Sequence, residues 1–224
     1  MAIYAVKTDR MDITWDLSSG YIFVQQKWRY NWINESGVTP WTLEEKRDFH
    51  NRADKLIWDL WSSQAYAMIT SNSKLAKHYR NTKFKINVDI KWVIGKESEH
   101  WTVNVTKRNH GTNINWIARE IQLYSSVSIN SYGRQGVVDP TMRYAQVGVT
   151  HEFGHTLGNS EYALDSSQPA YPMHGDEYKG RGLSKYKDDA SIMSVGSNIR
   201  QRHFDYLKIQ LENLINNKVE IYLF

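Results

Sequence analysis

The 224-residue chain predicts an α+β fold built around a mixed sheet. Three observations carry that reading. Phe84, Ile86, Val88, Ile90, Trp92 and Ile94 alternate strictly with Lys85, Asn87, Asp89 and Lys91, the period of a half-buried strand. Phe49, Ala53, Leu56, Ile57, Leu60 and Trp61 recur at three- and four-residue spacing, which draws one apolar stripe along a helix. Phe204, Leu207, Leu211 and Leu214 repeat that spacing near the C-terminus.

Taken in order, the first forty residues read as β structure. The runs Ile13–Leu17 and Tyr21–Val24 flank Ser18-Ser19-Gly20, a turn signal between β-prone segments. Pro40 punctuates, and Thr42-Leu43-Glu44-Glu45 then forms a capping box that starts a long helix over about 42–68. Strands are expected at 84–94, 101–105 and 114–129, with a turn at Asn109-His110-Gly111. Residues 144–157 read as a second helix and 200–217 as a third. No repeat or low-complexity linker divides the chain. It is read as one domain over 1–224, with a β-rich part at 1–40 and a core at 41–224.

Composition narrows the function classes. With 41% hydrophobic and 23% charged residues the chain has the balance of a folded, soluble protein. No stretch reaches the roughly 20 apolar residues of a membrane-spanning helix. The N-terminal run Met1–Arg10 has no basic region followed by a long apolar run, so export by a Sec-type signal is not expected. The absence of cysteine excludes disulfides, thiol nucleophiles and thiolate metal sites, leaving His, Asp and Glu as metal ligands. A net charge of +4 is spread over several separate clusters, and the sequence carries no recognition module for nucleic acid.

The segment that carries chemistry is Val149-Thr150-His151-Glu152-Phe153-Gly154-His155-Thr156-Leu157-Gly158. On a helix, side chains four apart stand one turn above each other, so His151 and His155 can share one ion. Glu152 sits beside the first ligand, where its carboxylate reaches a water on the metal without taking a metal position. Zinc lowers the pKa of such a water towards about 7, and the glutamate can accept its proton. Gly158 stands where a C-cap glycine would end the helix.

These residues resemble those of the zincin metallopeptidases. His151-Glu152-x-x-His155-x-x-Gly158 looks like the extended metzincin motif, and Ser191-Ile192-Met193-Ser194 looks like its Met-turn, with Met193 beneath the zinc. At the position where metzincins place a third His or Asp, this chain has Glu161. Glutamate-type zincins instead take a Glu well downstream, where Glu177 stands in His174-Gly175-Asp176-Glu177-Tyr178. Glu177 is preferred over Glu161; His174, Asp165 and Asp176 are further donors. The run from Trp41 onwards also resembles bacterial toxin-type metallopeptidases found at the C-terminus of type VI secretion spike proteins and in polymorphic toxins.

The resemblance implies a zincin-like fold: a twisted mixed sheet, a long backing helix, an active-site helix and a C-terminal helix, with Zn2+ in a cleft below the sheet edge. It implies a zinc endopeptidase acting on a protein or peptide, delivered to a target cell or periplasm, with an immunity protein or parent spike protein as partner. Tyr162, Tyr178 or His203 would donate to the oxyanion, and residues 121–129 would form the edge strand along which substrate lies. The alternatives are a zinc hydrolase of peptidoglycan peptides and a non-catalytic module stabilised by a closed zinc site.

Overall fold

The computed structural model describes residues 2–107, 113–115, 120–124, 147–158, 188, 190–194 and 196–224. Nine strands form one mixed sheet: β1 (Ile3–Lys7), β2 (Asp12–Asp16), β3 (Tyr21–Ile33), β4 (Ala65–Ile69), β5 (Phe84–Trp92), β6 (Trp101–Thr106), β7 (Asn113–Asn115), β8 (Glu120–Tyr124) and β9 (Val219–Leu223). The helices are α1 (Leu43–Trp61), α2 (Lys74–His78), α3 (Gly148–Leu157) and α4 (Asp205–Ile215), the last entered through a 3-10 turn at Gln201–Phe204. The α+β class with a mixed sheet holds. Among the described residues no helix is long and apolar enough to cross a membrane.

The sheet runs β7-β8-β6-β3-β5-β4-β9, and β3 is its spine. One side of β3 pairs in parallel with β5 over Tyr21–Trp28. Its other side pairs antiparallel with β2 over Tyr21–Gln25, then in parallel with β6 from Trp28 to Ile33. Gly20, at φ +78, closes the turn between β2 and β3 in the left-handed region that a side chain would disfavour. Alternate residues bury one face: Ile22, Val24, Gln26 and Trp28 on β3, Phe84, Ile86, Val88 and Ile90 on β5, Trp101, Val103 and Val105 on β6. The predicted alternation in β5 therefore holds as far as Ile90. Trp92 is only half-buried, and Ile94 lies beyond the strand, 73% exposed.

Helix α1 begins as its capping box dictates. Thr42 Oγ1 accepts from the Glu45 amide at 3.2 Å, and Glu45 Oε2 accepts from the Thr42 amide at 2.8 Å. It buries Phe49, Ala53, Ile57 and Trp61 against the sheet face. The helix stops at Trp61, seven residues short of the predicted end. Ser62 is extended, Ser63 turns through φ +58, and residues 65–69 become β4, with Ala65, Ala67 and Ile69 buried between β5 and β9. Pairing on both sides overrides the helical propensity of Ala and Met there.

Other boundaries shift in the same manner. The predicted strand over 114–129 is a hairpin, with Asn113–Asn115 antiparallel to Glu120–Tyr124. β8 is flanked by β6 along its length and by β7 at Glu120–Gln122, so residues 121–122 lie inside the sheet, while Leu123 and Tyr124 pair with β6 alone among the described residues. Residues 125–129 lie outside the described residues. The C-terminal helix splits at Phe204 and ends at Asn216, whose left-handed backbone (φ 48) is a regular helix stop. Phe204, Leu207 and Leu211 are buried as predicted, and β9 then adds a strand to β4.

Candidate metal centre

Helix α3 lies against the buried sheet face, touching α1, α4 and the β7–β8 hairpin. Nearly every residue from Gly148 to Leu157 is buried; His151 alone is half-exposed. Such a helix cannot be anchored by an amphipathic stripe, and polar contacts from distant elements fix it instead. Trp61 Nε1 donates to the Thr150 carbonyl at 3.0 Å, tying α3 to α1. From the sheet, Trp28 Nε1 donates to Gln26 Oε1 at 3.0 Å, and Gln26 Nε2 donates to Thr156 Oγ1. Gly158 ends the helix with its amide bonded to the Gly154 carbonyl at 3.3 Å. Its φ is −115, so the cap is not left-handed.

Arg10 completes the C-terminal end. Its side chain is buried, Nη1 donates to the Gly158 carbonyl at 3.0 Å, and the guanidinium stacks 4.0 Å from the Tyr206 ring centre. A cation there also complements the negative end of the helix dipole.

His151, Glu152 and His155 come together as expected. Each offers a ligand atom, and these atoms all lie within 4.8 Å of one another. The two imidazoles stand nearly perpendicular, with ring centres 4.9 Å apart and an interplanar angle of 87°. Glu152 is 3% and His155 2% exposed, while His151 opens to the surface. His151 Nδ1 lies 2.6 Å from the Ile192 carbonyl oxygen. A carbonyl can only accept, so Nδ1 carries the proton and Nε2 presents its lone pair, as a metal-ligating imidazole requires. Two imidazoles facing one another are donors suited to a divalent ion such as zinc, and the Glu152 carboxylate stands beside them.

The turn containing Met193 lies under α3. Its backbone is closed by Ile192 N–H to the Asn198 carbonyl (2.9 Å), Gly196 N–H to Ser191 (3.0 Å) and Asn198 N–H to Ala190 (2.9 Å). Asp188 clamps its approach, accepting from Arg200 Nε at 2.7 Å and Arg202 Nη2 at 2.8 Å. Hydrogen bonding from Arg200 holds the Asp188 carboxyl below the usual carboxylate range, so the clamp stays ionised at neutral pH. Its contribution to stability is lost as pH falls through that lowered value.

Met193 is fully buried. A Cβ on Gly154 would stand 2.5 Å from Met193 Sδ and 2.8 Å from Trp61 Cζ2. Glycine at position 154 is thus what lets the helix settle on the turn. Gly154→Ala should lower the urea midpoint, because Trp61 is held by its bond to Thr150 and has nowhere to move. An overpacking cost of about 1–3 kcal/mol outweighs the roughly 0.5–1 kcal/mol gained in helix propensity. A higher midpoint would show that Met193 does not pack there.

Of the other predicted residues, His203 does return to the site, but from beneath and not as an exposed donor. Its ring is fully buried, and its nitrogens engage the Arg200 amide and Ser191 Oγ, each at 3.1 Å. Glu161, Glu177, Tyr162, Tyr178, Asp165, Asp176 and His174 lie outside the described residues. The sequence reading missed the Ile192 carbonyl, Arg10, Gln26 and Trp61. Partners of α3 that lie 148, 130 and 89 residues away leave no local signal.

No family model, curated protein or solved structure matches the chain.

Proposed function

We propose that the chain is a zinc-dependent endopeptidase with a zincin-like catalytic architecture. The observation that supports this best is the convergence of His151, Glu152 and His155 on a helix whose outer imidazole is oriented by a backbone carbonyl. His151 and His155 would hold the ion, with Glu161 or Glu177 as third ligand and Glu177 preferred. A zinc ion there would polarise the scissile carbonyl and acidify the attacking water. Glu152, adjacent in sequence to His151 and nearly buried, would accept a proton from the attacking water and return it to the leaving amine.

The resemblance to toxin-type metallopeptidases supports reading the chain as an effector domain delivered to a target cell, with a parent spike or immunity protein as partner. The substrate class separates this from a peptidoglycan hydrolase. Zinc-loaded chain should cleave an unfolded protein such as reduced casein and release new N-termini, while muropeptides remain intact. Cleavage of muropeptides alone would transfer the reading to cell-wall peptides. Zinc binding without hydrolysis of either would leave only a structural site.

A further inference from the structure

We propose that the buried Ser191–His203 pair is a positioning element for the metal centre, acting on His151 through one peptide plane. The proposal rests on the metal reading of His151, but it concerns hydrogen bonds that exist without the ion.

The chain of contacts begins at His203. Its Nδ1 accepts from the Arg200 amide at 3.1 Å, and an amide can only donate, so in the neutral ring the proton sits on Nε2. Nε2–H therefore donates to Ser191 Oγ, 3.1 Å away. The same Oγ accepts from the Met193 amide at 3.1 Å. Both nitrogens of His203 and both acceptor directions of Ser191 Oγ are used, and both side chains are fully buried. Trp61 packs beside the ring, with centres 6.3 Å apart, and limits its rotation.

The Met193 N–H and the Ile192 C=O belong to one peptide group. A peptide is planar, and in the trans form its N–H and C=O point in opposite directions. Holding the N–H on Ser191 Oγ therefore aims the carbonyl oxygen the other way, where His151 Nδ1 meets it at 2.6 Å. That bond fixes both the tautomer and the rotation of His151. Ser191 and His203 touch neither the ion nor a substrate in this scheme; they hold the plane that holds the ligand. Loss of an outer partner of a metal-ligating histidine typically costs about 10–100-fold in affinity.

The test compares the parent chain with Ser191→Ala, His203→Phe and His203→Gln by two readouts. Zinc affinity is measured by competition with a chromophoric chelator, and the His151 tautomer by 15N NMR of the metal-free protein. Ser191→Ala and His203→Phe, which keep the Ile192 carbonyl but free its peptide plane, should weaken zinc by about tenfold, the low end for an outer partner, and mix the His151 tautomers. His203→Gln, which can still present an N–H to Ser191, should recover most of the affinity. Melting curves establish that each variant is folded; if Ser191→Ala is not, His203→Phe carries both readouts. Folded variants with affinity within threefold of the parent and an unchanged Nδ1–H tautomer would overturn the proposal. If the parent itself takes up no zinc, the metal reading fails, while the tautomer measurement still decides whether the pair orients His151.

Discussion

Glu152→Gln is expected to keep zinc and to lower peptide hydrolysis by about 10²–10⁴-fold, the usual worth of a positioned proton-transfer group. The substitution preserves shape at a side chain that is 3% exposed, so packing around α3 is retained. It removes only the capacity to accept a proton at the carboxylate. The metal content and kcat of one sample, compared with the parent, check this. Full activity in a zinc-loaded variant would rule Glu152 out as the base. Loss of metal together with activity would instead indicate that the carboxylate is a ligand.

His155→Ala should abolish stoichiometric zinc binding. The ring lies inside the fold, 2% exposed, with the His151 ring 4.9 Å away, and no other histidine of the described residues joins that pair. A direct ligand is lost, so the effect should exceed the roughly 10–100-fold cost of losing an outer partner. Thermal melting gives an independent check. A ligand that binds the folded state at 100 times its Kd adds about 2.7 kcal/mol, so zinc should raise the Tm of the parent. The variant should melt at one temperature with or without the ion. A zinc-dependent rise retained in His155→Ala would place the ion elsewhere.

How far the sequence was legible follows from how local each signal is. The α1 start was readable because Thr42 and Glu45 cap one another within a single turn. Its end was not, because residues 65–69 become a strand only through partners on β5 and β9 that lie far along the chain. The alternation in β5 was legible, yet its burial fades at Trp92, the last residue of the strand to pair with β3. In the candidate site, His151, Glu152 and His155 could be found because helical spacing alone brings them together. The Ile192 carbonyl could not, since a backbone atom has no sequence signature. Ser191 and His203 were visible as residue types, but their pairing depends on how the 3-10 turn packs under α3.

His151 and His155 would grip one ion through their ring nitrogens. X-ray absorption at the zinc edge of the loaded chain tests it directly. A first shell of nitrogen and oxygen at about 2.0–2.1 Å, with multiple scattering from two imidazoles, is the predicted result. A shell without imidazole scattering, or no zinc retained after dialysis, would contradict it.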